Sequence, residues 1–336
     1  MDSSTEHTIL VVLIPAIEKH PDADALGTVE IEGTTIVVND QWKKGDKAVL
    51  IPADFLVPEI EAFAFLGAKV KHRRIKPRKL RGVWSEGLLM PVGALGLPED
   101  IATGTDVMGA LGIERYDYEN TAHNPNFSAC QEATTGDPPG ITIGTYKLHP
   151  YKKYRTKLVE GEEVLITEKI HGTNWRAVYI AEEDKLYVGS RNLWKDPQDL
   201  TSPHTQILQK EVCADIISWC KANPNQVVFG EVYGWVSSLR YGAQPGELLI
   251  RLFDVWDNDN KVWREPPTSL PTAPKLYRGP WDPALAETLV DGESRLPFAN
   301  NIREGIVIEC LPDRRDSHLG RVKLKYVSND YLASGK

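Results

Sequence analysis

The sequence predicts an α+β protein of two domains, a small barrel of short strands followed by antiparallel sheets with flanking helices. The length of 336 residues suits two domains. The first half alternates short β-rich runs with turns, whereas the second half adds one long helical pattern. With 41% apolar and 26% charged residues the composition is that of a globular protein, which excludes disorder as the main state.

The first domain is predicted from β-rich runs separated by turns at Gly33, at the KKGD sequence and at Pro52. Five strands in about 100 residues fit a small barrel such as an OB-fold. KHPDADALGTVEIEG (19–33) resembles the opening of the tRNA-binding type of OB domain, and LRGVWSEGLLMPV (80–92) resembles its later hairpin. The predicted strands are Ile9–Ile14, Thr28–Ile31, Thr35–Val38, Ala48–Ile51 and Gly87–Met90.

A dense basic run lies inside this acidic half. Residues 1–150 hold 14 Lys+Arg against 21 Asp+Glu, yet the run at 69–81 has eight Lys or Arg in thirteen residues. A solvated, self-repelling loop is one interpretation. In an OB barrel the run would form a loop or strand edge beside the groove, suited to phosphate contacts. The predicted nucleic-acid contacts are Lys71, Arg73, Arg74, Lys76, Arg78, Lys79 and Arg81.

Several classes of protein are excluded. The longest apolar run, at 9–14, is too short to span a bilayer. The cysteines at 130, 213, 220 and 310 form no CxxC pair and no metal-ligand spacing. They predict reduced thiols in a soluble intracellular protein, cytoplasmic or nuclear. A net charge of −8 argues against a simple basic nucleic-acid coat.

The Asn-, Pro-, Gly- and Thr-rich segment 119–145 predicts a linker between domains at 1–118 and 146–336. One helix is predicted over 202–222, where Leu208, Val212, Ile216 and Trp219 recur at spacings of four and three. Its two cysteines, at 213 and 220, are interpreted as core thiols. The predicted strands of this half are 164–170, 175–180, 185–190, 226–233, 247–256, 305–309 and 322–326.

The most informative motif is EKIHGTN at 168–174, between two predicted strands. A lysine nucleophile needs a neutral amine, and a pKa of about 10.4 keeps an ordinary lysine protonated near neutrality. Burial or neighbouring cations lower that pKa and activate the amine. Lys169 is therefore a candidate nucleophile, and a surface lysine before a β-turn is the alternative.

EKIHGTN resembles the nucleotidyl-lysine motif of covalent nucleotidyltransferases, in the form used by ATP-dependent RNA ligases. DNA ligases and mRNA capping enzymes usually have KxDG instead. YKKYRTKL (151–158) resembles the start of the catalytic domain in phage-type RNA ligases. A barrel that precedes the catalytic domain resembles the RNA ligases of the Deinococcus type. Further motifs follow in the family's order: GSRN with Arg191, FGEVYG with Glu231, LIRLFDVWD with Phe253, REGIVIE with Glu304, and RVKLKYVS with Lys323 and Lys325.

The resemblance implies roles for these residues. Lys169 would carry the nucleotide, Arg191 would contact the 5′-phosphate side, and Phe253 would stack on adenine. Asn174 would bond the leaving phosphate and Glu168 the adenine. The implied nucleotide-binding set is Glu168, Lys169, His171, Asn174, Arg191, Glu231, Phe253, Lys323 and Lys325. The implied catalytic set is Lys169, Arg191, Glu231, Glu304, Lys323 and Lys325.

The charged positions also have physical reasons. Lys323 and Lys325 alternate along a strand, so both amines point to one face, where an anion would offset their burial. Near Lys169 they would depress its pKa by repulsion. Glu231 and Glu304 lie in hydrophobic strands, where a carboxylate is costly without a cation or donor. Mg²⁺ (or Mn²⁺) takes one or two carboxylates plus phosphate oxygens, whereas a salt bridge is the alternative for each.

The expected function is an ATP-dependent RNA ligase that joins a 3′-OH to a 5′-phosphate through lysyl-AMP and an adenylylated 5′-end. The resemblance implies ATP and Mg²⁺ or Mn²⁺ as cofactors, and nicks with an RNA 3′-OH strand as substrates. We expect a monomer that acts on RNA or RNA/DNA duplex ends, without a membrane. A DNA ligase, a capping-type guanylyltransferase and a non-catalytic RNA-binding adaptor are the alternatives.

Overall fold

The computed structural model describes residues 8–67, 69, 73–116, 134–143 and 146–334. The chain divides into two compact units, one of residues 1–129 with 332–335 and one of residues 130–331 with 336. Most of the linker predicted at 119–145 lies outside the described residues, so the domain boundaries stay a prediction. In the described part of the chain, no helix is long and apolar enough to cross a membrane.

Among its described residues, the first unit has short antiparallel strands and two 3-10 helices, Glu61–Leu66 and Gly93–Leu95. Its strands are β1 (Leu10–Leu13), β2 (Glu18–Lys19), β3 (Leu26–Ile31), β4 (Thr34–Asn39), β5 (Lys47–Pro52), β6 (Phe55–Leu56), β7 (Arg78–Leu80), β8 (Val83–Ser85), β9 (Gly87–Pro91) and β10 (Glu114–Arg115). Three-stranded sheets run in the orders β1-β5-β9 and β2-β3-β4, with pairs β7-β8 and β10-β6. Each of the predicted strands is present.

Period-two alternation explains how this unit is filled. Along β5, Val49 and Ile51 enter one buried cluster, whereas Ala48 and Leu50 enter a second cluster on the other face. A strand that is buried on both faces reads as a continuous apolar run, which is why the sequence reveals β5 clearly.

The second unit is larger and mixed. Its strands are β11 (His149–Pro150), β12 (Glu163–Lys169), β13 (Thr173–Ile180), β14 (Lys185–Gly189), β15 (Trp194–Lys195), β16 (Gln226–Gly234), β17 (Leu248–Asp257), β18 (Val262–Arg264), β19 (Lys275–Pro280), β20 (Gly305–Cys310), β21 (Arg315–Asp316), β22 (Gly320–Arg321) and β23 (Lys323–Val327). Its α-helices are α1 (Tyr151–Tyr154), α2 (Pro203–Gln206), α3 (Glu211–Ala222) and α4 (Pro283–Leu289), and α5 (Asn329–Ser334) crosses the division. Its 3-10 helices are Arg155–Lys157, Ala181–Glu183 and Ile207–Gln209.

Two sheets carry this unit. One has five strands in the order β11-β23-β20-β12-β19, and the other has six in the order β15-β14-β13-β16-β17-β18. Helix α3 packs on one face of the six-stranded sheet, where Trp175 and Ile216 are fully buried. Part of the opposite face is aromatic, with Tyr146 5.1 Å from Phe229 between ring centroids. The predicted α+β class is thereby confirmed.

The single helix predicted over 202–222 is wrong. The chain forms α2, a 3-10 turn, an extended residue at Lys210 and then α3. Ser202 caps α2 by accepting from the amide of His204. The carbonyl of His204 accepts from the indole of Trp175 at 2.9 Å, so α2 is held beneath β13 by this bond. Cys213 and Cys220 are fully buried in the core, as predicted, while Cys130 lies outside the described residues.

A buried ion cluster joins the two sheets. Asp254, in β17, accepts hydrogen bonds from Lys323 in β23 at 2.6 Å and from both terminal nitrogens of Arg321 at 2.9 Å. The hydroxyl of Tyr146 donates to the same carboxylate at 2.5 Å. Lys323 also pairs with Glu309 in β20. Burial acts to raise the pKa of Asp254, but Lys323 and Arg321 outweigh it and hold the pKa below its ordinary value.

We predict that Asp254→Asn destabilises the second unit by about 3–5 kcal/mol near neutral pH, because it leaves two buried cations short of their carboxylate. Since the folded-state pKa is depressed, this contribution is complete above the unfolded value of 3.8 and is lost as pH falls through the folded value. Denaturant unfolding across the acidic range measures both effects.

Glu163→Gln is the matched control, because its pair with Arg278 has half-exposed side chains. Its expected cost is about 0–1 kcal/mol. Equal unfolding midpoints for the two variants at neutral pH would contradict this account of the cluster.

Candidate active site

Lys169 is the last residue of β12 and lies where the chain passes from the five-stranded sheet to the six-stranded sheet. Its amine donates to Oε2 of Glu304 at 2.6 Å, and both side chains are mostly buried. Glu304 directly precedes β20, whose Gly305 is paired with Lys169 in the ladder. The register of adjacent strands therefore brings together two charged groups that are far apart in sequence.

The turn that follows Lys169 is fixed by buried hydroxyls. The amide of His171 donates to the hydroxyl of Tyr241 at 2.7 Å, and Ser237 donates to the carbonyl of His171 at 2.9 Å. A Cβ on Gly172 would lie 2.1 Å from the carbonyl oxygen of Val232, so only glycine fits against β16. These contacts therefore fix the turn against β16, and with it the position of Lys169 relative to that strand.

Glu231 comes from the middle of β16 and approaches the same place. Burial raises its pKa to about 8, with Glu304 adding to the rise, while the charges of Lys169 and Arg191 oppose it. Two carboxylates thus lie near one ammonium group in a partly desolvated site. Divalent cations that bind phosphates take one or two carboxylates and complete their shell with phosphate oxygens and water. Glu231 and Glu304 fit that pattern, and no cluster of three or more His, Cys, Asp or Glu suited to a metal occurs in the described ranges.

Beside Glu231 the six-stranded sheet presents polar groups that the protein itself does not satisfy. Asn174 in β13 and Arg251 in β17 are its cross-strand neighbours. Within the described residues, Oδ1 of Asn174 and Nε of Arg176 and of Arg251 are buried without a hydrogen-bond partner. Burial lowers the pKa of Arg176 to about 10, and its guanidinium lies 3.9 Å from the ring centroid of Trp194. The two orphaned guanidinium donors suit an anionic ligand, and the orphaned oxygen of Asn174 suits a ligand group that donates.

The other predicted nucleotide contacts have diverse surroundings. Arg191 is exposed just after β14 and near enough to affect Glu231. Both oxygens of Glu168 already accept hydrogen bonds, from the hydroxyl of Ser294 at 2.5 Å and the amide of Arg295 at 2.7 Å. Phe253 packs 5.4 Å from Tyr146 between ring centroids, within the aromatic cluster. The adenine contacts of Glu168 and Phe253 stay predictions.

The two lysines of the K-x-K motif share one face with Lys169, as the strand pairings require. Their environments differ. Lys323 is 2% exposed and paired with Asp254 and Glu309, and its phosphate contact stays a prediction. These carboxylates come from two other strands, so the local sequence around Lys323 does not reveal them. Lys325 is half-buried and lies two residues closer to the Lys169 end of the ladder.

The cations of the basic run at 69–81 also differ in their surroundings, since one is buried and paired and others are exposed. Arg74 is buried and pairs with Asp54 at 2.6 Å, and the phosphate contact predicted for Arg74 stays a prediction. Arg73 donates to the carbonyl of Val57 at 2.8 Å, and Lys76 is half-buried. Lys71 lies outside the described residues. The exposed cations among the described residues of the run are Lys69 and, in the β7-β8 hairpin, Arg78, Lys79 and Arg81.

Several residues that shape the site were not found by sequence reasoning. Tyr241 and Ser237 hold the turn, and the hydroxyl of Tyr331 lies 3.2 Å from Nδ1 of His171. No local pattern marks these three hydroxyls. Asp254 could have been identified from the sequence, because it is a carboxylate inside the apolar run of β17. Burial of such a group is costly without a partner, which is the argument that identified Glu231.

Comparison with known proteins places these features in context. Residues 162–327 match the RNA ligase family model, and residues 9–92 match an OB-fold domain model. A solved Naegleria gruberi RNA ligase mutant with ATP and Mn superposes with a TM-score of 0.74 at 20% identity, covering 97% of this chain and 98% of that one. The same ligase with pyrophosphate gives 0.71, also at 20% identity, with 97% of each chain covered. At that identity the likeness establishes the fold.

The curated relatives match over a short stretch. Phenylalanine–tRNA ligase beta subunits of Neisseria gonorrhoeae and Neisseria meningitidis are 32% and 36% identical over 103 and 101 residues. These matches cover 30% of this chain, which spans 12% of the length of those relatives. The family match instead covers β12 to β23, including Lys169, Glu231, Glu304 and both lysines of K-x-K. The second domain of the chain therefore belongs to the RNA ligase family, and an OB-fold domain precedes it in the sequence.

Proposed function

We propose that the chain is an ATP-dependent RNA ligase that joins a 3′-OH to a 5′-phosphate through a lysyl-AMP intermediate on Lys169. The observation that carries this proposal is the position of the Lys169 amine, 2.6 Å from Glu304 and close to Glu231, at the junction of two sheets. The fold that the chain shares with the Naegleria gruberi ligase structures, which hold ATP or AMP with Mn, supports it.

In the first step the amine of Lys169 attacks the α-phosphorus of ATP. A nitrogen–phosphorus bond forms, the bond to the bridging oxygen breaks, and pyrophosphate leaves. The amine needs its lone pair, so it must lose a proton and leave its hydrogen bond with Glu304. Glu231 and Glu304 would hold Mg²⁺ or Mn²⁺, which when bound neutralises phosphate charge. The unsatisfied Nε–H of Arg251 would donate to a phosphate oxygen, and the unsatisfied Oδ1 of Asn174 would accept from a donor of the nucleotide.

In the second step AMP passes to the 5′-phosphate of the nucleic acid, which regenerates the Lys169 amine. In the third step the 3′-OH attacks that phosphate and AMP leaves. In the second step the phosphorus–nitrogen bond to Lys169 breaks as a phosphorus–oxygen bond forms, and in the third step one phosphorus–oxygen bond replaces another, so positioning and charge neutralisation supply most of the catalysis. Arg191 and Lys325 are the further cations that we assign to these steps, since the first influences Glu231 and the second shares the face of Lys169.

The substrates we propose are RNA or RNA/DNA duplex ends, in particular nicks with an RNA 3′-OH strand, which a monomer would seal. The exposed cations Arg78, Lys79 and Arg81 in the first unit support binding to a phosphate backbone. Such contacts carry no sequence information, so binding is expected to fall with salt and to be largely independent of sequence.

Lys169→Ala is expected to abolish lysyl-AMP formation, because no other group replaces the nucleophile. Intact-protein mass after incubation with Mg²⁺ and ATP measures the adduct, with GTP and NAD⁺ run in parallel. Lys221→Ala, an exposed lysine at the end of α3, is the control and should gain one AMP like the wild type.

An adduct that persists in Lys169→Ala would contradict the nucleophile assignment. An adduct only from GTP would favour a capping-type enzyme, and sealing of all-DNA nicks in preference to RNA 3′-OH nicks would favour a DNA ligase. A folded wild type that is free of bound AMP and gains no adduct would favour an RNA-binding adaptor.

Glu304→Gln is expected to slow adenylylation by at least about 100-fold, because a positioned, partly buried charge is lost at the reacting centre. It should also raise the Mg²⁺ concentration needed for half-maximal rate, since one of two proposed ligands is neutralised. Single-turnover adenylylation over a Mg²⁺ series measures both. The exposed Glu293 provides the control, and Glu293→Gln should behave as wild type. Unchanged Mg²⁺ dependence in Glu304→Gln would remove Glu304 from the metal site.

A further inference from the structure

The first unit contains a cavity of about 670 Å³ that no step of the proposed chemistry uses. Its walls come from β3 and β4, the loop after β4, the 3-10 helix Glu61–Leu66, the segment 74–80, β8, β9 and Ala333 of α5. Binding sites for small organic molecules range over about 300–1,000 Å³. The cavity is therefore large enough for a single nucleotide.

Two aromatic side chains line this cavity from different elements. Trp42, in the loop after β4, is half-buried, and Phe65 on the 3-10 helix is 65% exposed. Leu80 in β7 lines it as well and is 38% exposed. The cavity thus presents flat apolar surface to solvent, which a planar ring could cover by stacking.

The charged residues that line the cavity are all cations. Arg74, Lys76 and Arg78 line the cavity, and none of its described lining residues is Asp or Glu. Arg74 is paired with Asp54, which leaves Lys76 and Arg78 as the cations to meet a ligand. Burial, aided by the charge of Arg74, lowers the pKa of the Lys76 amine, a cost that a bound anion would relieve.

Amide groups complete the set. Asn39 and Gln41 line the cavity beside Trp42, and each offers both a donor and an acceptor. Aromatic faces, cations and amides together match the parts of a nucleotide, which has a planar base, an anionic phosphate and polar base edges. An acidic peptide would satisfy the cations but not the aromatic faces.

We infer that this cavity binds one unpaired nucleotide of the nucleic-acid substrate, with its base against Trp42 and Phe65 and its phosphate against Lys76 and Arg78. The inference rests on the proposed function for the identity of the substrate. The base is recognised by stacking, so any of the four bases is accepted. A ligase equipped in this way holds a frayed or single-stranded end by its base, in addition to its phosphates.

The test compares a short single-stranded oligoribonucleotide with a counterpart of equal charge that carries abasic residues. Fluorescence anisotropy gives the two dissociation constants for the full-length protein. We expect the base-containing strand to bind about 5- to 100-fold more tightly to the wild type, the range for stacking of one base. Phe65→Ala should remove most of this difference while leaving affinity for the abasic strand unchanged.

Phe65 is the better residue to change, because it is largely exposed and its loss costs little packing. Trp42 packs partly against a core cluster, so the milder Trp42→Leu serves as the second variant. Phe298→Ala, which removes a 93% exposed ring from the other unit, is the matched control and should bind both strands as wild type does. Lys76→Gln should weaken both strands alike.

Lysyl-AMP formation is measured on the same preparations. Adenylylation should be normal in all four variants, so a protein that fails to adenylylate contradicts the proposed function, while the binding ratio still decides the cavity. Equal affinity of the wild type for the two strands overturns the inference. So does displacement of the base-containing strand by polyglutamate at equal charge, which would indicate a general anion site, and so does an unchanged ratio in Phe65→Ala.

Discussion

The buried carboxylate of Asp254 is the group on which the catalytic domain depends. It accepts from Tyr146 and from Arg321 and Lys323, which reach it from two separate segments of the chain. A charge in such a position is strongly unfavourable until every partner is present, and is then held firmly. Because Asp254 lies in one sheet and Lys323 in the other, these bonds fasten together the two sheets that carry Glu231 and Lys169.

Much of this organisation follows from local sequence. Strands such as β5 and β12 are detectable from the sequence, because their apolar residues form a continuous run or alternate with polar ones. Both patterns are typical of a buried extended chain. Period two places Lys323 and Lys325 on one face without any knowledge of the fold. Glu231 and Glu304 stand out because carboxylates are costly inside apolar strands. These arguments identify unusual residue types and the face of the strand on which each side chain lies, because both depend on only a few neighbouring positions.

The partners of those residues were beyond local reasoning. Arg74 belongs to a basic run that suggests a solvated phosphate contact, yet Asp54 sits beside it only because the chain folds back on β6. Lys323 fits a phosphate-binding motif, and its carboxylates arrive from β17 and β20. The short helix α2, which precedes the break at Lys210, is bonded through the carbonyl of His204 to Trp175 in β13. Each outcome rests on tertiary contacts that periodicity does not encode.

The short connection through His171 and Gly172 has a consequence of its own. Lys169 ends a strand of one sheet, and Asn174, across from Glu231, lies early in the first strand of the other. The proposed nucleophile is thus tethered by a few residues to the strand that pairs with Glu231, so its position relative to that carboxylate is set when the chain folds. ATP then enters a site whose reacting groups have already lost their translational freedom. A single flexible residue inserted into this connection would leave Lys169 more mobile. Part of the entropy cost of positioning Lys169 would then be incurred again in every catalytic cycle.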